Sequence, residues 1–214
     1  MAPSEKQVTY QTSNSYATLN RLTAKTKNVW MVFHGIGYLS RYFLNYFKDL
    51  PGEENYIIAP QAPSKYYLNN EYRHVGASWL TKETTQADAE NVMAYVDAVF
   101  AHENIPAHLH LIIFGYSQGV SIATRWVAKS QLKCDHLVLY AGGIPRELVA
   151  ADFEFLVSNS TRITALVGDQ DEYMNAERLR QESEKMELLF HGRAKQIIFE
   201  GRHELKKELL HQFL

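Results

Sequence analysis

Leu109-His110-Leu111-Ile112-Ile113-Phe114-Gly115-Tyr116-Ser117-Gln118-Gly119 is an apolar run that ends abruptly in Gly-x-Ser-x-Gly. Beyond it, Val120, Ala123 and Val127 recur at helical spacing. A buried strand feeding a sharp turn into a helix lifts the serine hydroxyl above the sheet, and the flanking glycines keep bulk away where strand and helix meet. Ser117 is therefore the candidate nucleophile. Such a turn is strained, and strain of this kind gathers at functional sites.

Outward from this segment, the chain alternates between two patterns. Short continuous apolar runs occur at 28–33, 55–59, 136–140, 163–167 and 196–200. Continuous rather than alternating apolarity is how a strand reads when helices cover both faces of a sheet. Between these runs lie helical spacings at Val92, Val96 and Val99, over residues 173–190, and at Leu205, Leu209 and Phe213. Repeated βαβ units build an open, mostly parallel sheet with right-handed crossovers. The expectation is an α/β protein in one continuous domain over residues 1–214, with a short hairpin around 7–20 and no large cap domain.

Composition narrows the partners. The 214 residues carry 22 Lys plus Arg against 24 Asp plus Glu, a balance without the basic footprint of a nucleic-acid binder. No apolar run approaches membrane-spanning length, and Met1–Tyr10 lacks an apolar core of signal-peptide length; a cytoplasmic protein is expected. Cys134 is the one cysteine, which excludes an internal disulfide and leaves a packing role for the thiol. His108 and His110 have a strand's period of two and no nearby thiol, so no metal site is expected.

In a sheet of this kind, chemistry gathers beyond the carboxyl ends of the strands. That rule filters the nine histidines. His102, His108, His110, His136 and His191 fall at helix ends or strand starts, and His211 lies within the last helical segment. His34, His74 and His203 remain, and His203 stands just past the strand at 196–200, where a turn can present it as a base. The run at 163–167 leads into Gly168-Asp169-Gln170-Asp171, which places two carboxylates on the same edge. Ser, then Asp, then His is the chain order this fold class uses. Oxyanion donors are sought in the amide after the nucleophile and in the loop after an early strand, which here are Gln118 and Ile36 within His34-Gly35-Ile36-Gly37.

With these residues in place, the chain resembles the carboxylesterase, phospholipase and acyl-protein thioesterase family of α/β-hydrolases. The resemblance runs from about residue 28 onward. It rests on His-Gly-Ile-Gly at 34–37, Ala-Pro-Gln-Ala-Pro at 59–63, Ser78-Trp79, Gly-Tyr-Ser-Gln-Gly at 115–119, Gly-Asp-Gln-Asp at 168–171 and His203. It implies hydrolysis of carboxylic esters or thioesters with no cofactor, on a small acyl ester or thioester substrate. It also implies that Asp171 completes the triad while Asp169 braces the loop. Trp79 and Tyr38 become the candidate substrate-binding residues; Tyr38-Leu39-Ser40 replaces the small and acidic residues usual after His-Gly-x-Gly, which bears on substrate preference.

Residues 62–80 form a long stretch expected to be irregular, with Tyr66, Tyr67 and Tyr72 available to wall a pocket. About twenty residues separate the runs at 136–140 and 163–167, too few for a large helical lid beyond a connecting helix. Two rival functions follow from the same residues: a catalytically silent ligand-binding protein that keeps the pocket, and an interaction scaffold that uses the aromatic stretch.

Overall fold

One early strand, with parallel neighbours on both sides, is the point at which the strand order of the main sheet reverses. The computed structural model describes residues 3–214. Its strands are β1 (Tyr16–Leu19), β2 (Asn28–Phe33), β3 (Asn55–Pro60), β4 (Ser64–Tyr67), β5 (Val75–Ser78), β6 (His110–Tyr116), β7 (His136–Tyr140), β8 (Arg162–Gly168) and β9 (Ala194–Phe199). Its α-helices are α1 (Ser40–Phe43), α2 (Thr85–His102), α3 (Gln118–Ser130), α4 (Glu154–Ser158) and α5 (Ala176–Leu189).

The main sheet runs β1-β3-β2-β6-β7-β8-β9, with β1 antiparallel to β3 and the remaining neighbours parallel. After β2 the chain turns outward to β3, whereas β6 lies on the other side of β2. The loops leaving β2 and β6 thus lead to opposite sides, which makes the carboxyl ends of these two strands the switch point of the sheet.

Burial explains the continuous apolar runs. Every residue of β2, β3 and β7 is buried, and so is β6 after His110. Val29, Met31 and Phe33 face the side covered by α2, α3 and α5, where Val96, Ala123, Trp126 and Leu189 pack. Trp30 and Val32 face the other side, against Phe43, Phe47 and Phe213. Fully burying each large side chain contributes about 1.5–3 kcal/mol, so the two faces hold the central strands rigidly.

The sequence expectations need three corrections. The hairpin around 7–20 is a single edge strand: β1 pairs with β3, and residues 3–15 take no regular structure. Asn14 Nδ2 donates to Gln61 O at 2.7 Å and Tyr95 Oη to Ser15 O at 2.6 Å, so β1 is delivered to the open edge of β3 instead of folding on itself. Residues 62–80 are not irregular throughout, because Ser64–Tyr67 and Val75–Ser78 pair as an antiparallel hairpin that satisfies their backbone. The last segment is a 3₁₀ helix over Lys207–Phe213, which still buries Leu210 and Phe213. The connection from β7 to β8 holds a 3₁₀ turn at Ala150–Phe153 and the five-residue α4, with no cap domain.

Candidate active site

Ser117 occupies the turn between β6 and α3 at φ 53° and ψ −119°, a left-handed conformation that costs a non-glycine residue about 1–3 kcal/mol. The surroundings enforce it. Ser117 N donates to Tyr140 O at 2.8 Å, and three glycines let the backbones close in. A Cβ on Gly115 would stand 2.6 Å from Val120 Cα, one on Gly119 would collide with the Phe33 carbonyl, and one on Gly142 would collide with Ser117 O.

The loops after β8 and β9 bring two further groups to this serine. His203 Nε2 lies 2.8 Å from Ser117 Oγ, and His203 Nδ1 lies 2.8 Å from Asp171 Oδ2. The consistent arrangement has the serine hydroxyl donating to Nε2 and Nδ1–H donating to the carboxylate. The Asp171 side chain is fully buried, and its second oxygen accepts from Tyr173 N at 2.8 Å and Met174 N at 3.2 Å. Asp169 sits apart and exposed, where Oδ1 accepts from Gly201 N at 2.9 Å and ties the two loops together. A Cβ on Gly168 would run into Gly201 O, so this junction requires its glycine.

His203 is held on several sides. Tyr116 Oη donates to its carbonyl at 3.0 Å, and its own N–H points to Glu172 Oε2 at 3.4 Å. The Tyr116 and Tyr173 rings stand 5.5 Å and 4.8 Å from the imidazole.

The loop after β2 carries the Ile36 amide and the start of α3 carries that of Gln118; among the described residues neither takes a protein acceptor. The loop is pinned from below. Gly37 N donates to Ala77 O at 2.8 Å, Trp79 Nε1 to His34 O at 2.8 Å, and Ala62 N to His34 Nε2 at 3.2 Å. His34 Nδ1–H donates to Gly35 O at 2.8 Å, and burial pulls this imidazole down to a pKa of about 4, so it stays neutral and keeps its brace.

Trp79, expected beside the substrate, is 1% exposed and lies beneath that loop against Phe33 and His34. Tyr38 is half-buried; its hydroxyl meets Tyr46 Oη at 3.2 Å and its ring packs edge-on to Tyr116. Sequence reading missed the Gln118 side chain. Its Oε1 accepts from Trp79 N at 2.8 Å and its Nε2 donates to Leu80 O at 2.8 Å, clamping the serine turn to the end of β5. It also missed the Tyr116 hydroxyl, although a phenol inside the apolar β6 run was the available signal, since a buried Tyr O–H needs a partner.

Away from this edge, His110 lies 3.3 Å from Asp135, His74 is exposed, and the Cys134 thiol is pushed up to about 12 by burial. Among the described residues no three His, Cys, Asp or Glu side chains group as metal ligands, and no helix is long and apolar enough to cross a membrane.

The sheet order, the serine turn and the converging loops define the α/β-hydrolase fold. The chain belongs to the phospholipase/carboxylesterase family, a family of hydrolases, whose sequence pattern matches residues 14–213. Solved structures align over nearly the whole chain. Acyl-protein thioesterase 2 of Zea mays is 14% identical with a TM-score of 0.71, over 94% of this chain and 96% of that one. A phospholipase/carboxylesterase of Dyadobacter fermentans is 21% identical with a TM-score of 0.67, over 95% and 96%. The Bacillus cereus carboxylesterase is 13% identical with a TM-score of 0.63, over 94% and 95%. At these identities the likeness is one of fold. No curated protein matches the sequence.

Proposed function

We propose that the protein hydrolyses carboxylic esters or thioesters through an acyl-Ser117 intermediate, with His203 as general base and acid and Asp171 as its orienting carboxylate. One observation carries the reading: an unbroken hydrogen-bond chain from Ser117 Oγ through both His203 nitrogens to a fully buried carboxylate, with 2.8 Å at each step.

In the first half of the reaction Ser117 Oγ attacks the carbonyl carbon while His203 Nε2 takes its proton. The imidazolium so formed faces Asp171, whose other oxygen is already engaged by two amides and cannot swing away. The oxyanion develops between the Ile36 and Gln118 N–H groups, and each such donor is worth about 3 kcal/mol of transition-state stabilisation. His203 then gives its proton to the departing alkoxide or thiolate. Water repeats the sequence on the acyl-enzyme and returns Ser117. Nothing in these steps calls for a metal or cofactor. Trp79 serves by holding the oxyanion loop from beneath, and Tyr38 borders the base through Tyr116.

Intact mass after treatment with a fluorophosphonate tests the reading. A single stoichiometric adduct is expected, abolished in Ser117→Ala and formed far more slowly in His203→Ala, with p-nitrophenyl ester hydrolysis following the same order. A folded protein that forms no adduct overturns it and favours a silent ligand-binding protein.

A further inference from the structure

Three consecutive residues of the loop after β8, Asp171-Glu172-Tyr173, all reach His203 on the loop after β9. Asp171 Oδ2 faces Nδ1 at 2.8 Å, and Glu172 Oε2 faces the backbone N–H at 3.4 Å. The Tyr173 ring centre stands 4.8 Å from that of the imidazole, with 70° between the ring planes. Only the first of these contacts enters the reaction steps above.

The local backbone produces this convergence. Asp171 Oδ1 accepts from Tyr173 N at 2.8 Å and from Met174 N at 3.2 Å, the turn that an aspartate side chain folds around itself. Asp171 and Met174 are buried, whereas Glu172 and Tyr173 between them are exposed. Asn175 then caps α5 by accepting from Arg178 N at 3.0 Å, so the turn is fixed at both ends. Tyr173 thus bears on both partners of the Asp171–His203 bond: its amide holds the carboxylate and its ring meets the imidazole.

His203 needs such support. β9 is an edge strand of the main sheet, and residues 200–206, which carry the base, take no helix or strand. The Tyr116 hydroxyl fixes the His203 carbonyl, but a bond to the backbone leaves the imidazole free to turn about its side-chain torsions. Tyr173 is 66% exposed, whereas the imidazole beside it is 15% exposed and the Asp171 carboxylate is closed to solvent. The phenol meets the water that the triad does not. Among the described residues His203 is the one aromatic ring that Tyr173 meets, so the contact is specific to the base.

We propose that Tyr173 is a positioning residue for the base: its ring, anchored through its own amide to Asp171, holds the His203 imidazole in line with Ser117 and keeps water from the Asp171–His203 bond. This role rests on the hydrolase reading above. Its contribution is to rate, since misplacing a reacting group by about 1 Å costs up to about a hundredfold.

Tyr173→Ala removes the ring and Tyr173→Phe keeps it. On a p-nitrophenyl ester, Tyr173→Ala should lower kcat about tenfold with KM within about twofold, while Tyr173→Phe stays within about twofold of the parent in both. The urea midpoint should hold in both variants, because the side chain is mostly exposed. A second readout needs no turnover. The His203 Nδ1 proton, hydrogen-bonded to a carboxylate, resonates far downfield in the proton NMR spectrum and is assigned by its absence in His203→Ala. It should exchange with water about tenfold faster in Tyr173→Ala than in the parent or Tyr173→Phe. Slower turnover together with faster exchange supports the proposal. Tyr173→Ala turning over and exchanging at parent rates overturns it, and so does Tyr173→Phe falling as far as Tyr173→Ala, which would assign the effect to the hydroxyl. A parent that never reacts with a fluorophosphonate, but whose Nδ1 proton still loses protection in Tyr173→Ala, overturns the hydrolase reading and leaves the hold of Tyr173 on His203 standing.

Discussion

The phenol of Tyr116, the residue just before the candidate nucleophile, donates a hydrogen bond to the backbone carbonyl of His203, the candidate base, at 3.0 Å. The serine turn and the base-bearing loop are thus joined directly, although 86 positions separate Ser117 from His203. Tyr116 is 3% exposed and its ring also lies against the imidazole, so its position feeds into the Ser117–His203 distance.

Tyr116→Phe keeps the ring and removes only that donor. The His203 carbonyl loses its partner, and stability should fall by about 1 kcal/mol. Tyr116 acts as a positioning residue, so kcat should drop about three- to tenfold with KM nearly unchanged, since a misplaced base costs rate more than binding. Fluorophosphonate labelling should slow by the same factor. A variant that loses stability but labels at the parent rate would limit Tyr116 to packing.

The two aspartates of the loop after β8 make a matched test. Asp171→Asn leaves the shape but offers His203 an amide in place of a carboxylate, and the loss in kcat should approach 10⁴-fold, the scale known for this replacement in a serine triad. Asp169→Asn keeps an oxygen that can accept from Gly201 N, and should cost about tenfold or less. Steady-state kinetics on one ester decides it; equal losses would mean that the loop junction, not the carboxylate at 171, governs the rate.

These assignments differ in how far the sequence alone reveals them. Gly-x-Ser-x-Gly after an apolar run makes Ser117 plain because the turn it forms admits few other residues. His203 and the pair Asp169 and Asp171 follow from strand ends, which periodicity locates; the choice of Asp171 over Asp169 follows only from the family resemblance. Trp79 does not follow: a tryptophan near the site reads equally as pocket wall or support, and only its indole bond to His34 O assigns it to support. The β4–β5 hairpin was hidden because Tyr66-Tyr67 and Val75-Gly76 lack period-two burial, as all of β4 is exposed. For Gln118 the sequence points to the amide alone, since nothing local shows that its side chain reaches the end of β5, some forty residues earlier.

Gly119→Ala should be among the most damaging single substitutions. The added methyl carbon would stand 2.5 Å from Phe33 C and 2.9 Å from His34 O, backbone atoms of β2 and of the loop that follows it. Neither can move without disturbing β2, and the cost should be about 2–4 kcal/mol. Gly143→Ala is the contrast. Its Cβ would meet Glu182 Oε1 and an Arg178 nitrogen, the ends of flexible side chains, so the cost should stay near 1 kcal/mol or below. Urea denaturation of the two variants checks the ordering, and a Gly119→Ala protein as stable as the parent would refute the close approach.

Acid should unfold the protein earlier than its carboxylates alone would dictate. Burial pulls both His34 and His136 down to a pKa of about 4. Above about pH 6.5 both are neutral in either state. As pH falls below that, the unfolded chain takes up protons that the native state refuses, so stability declines down to about pH 4 and this contribution then levels off. A shift of this size is worth about 3 kcal/mol for His34, which is fully buried in the loop after β2, and at most a similar amount for His136. His136 Nε2 meets Thr164 Oγ1 at 2.9 Å, its Nδ1 is buried with no partner among the described residues, and its ring packs edge-on to Phe213. His136→Phe should therefore flatten the fall in unfolding free energy between pH 6.5 and 4 while leaving the part due to His34. Denaturation curves across that range measure the slope. An unchanged slope would show that His136 is not held neutral in the native state.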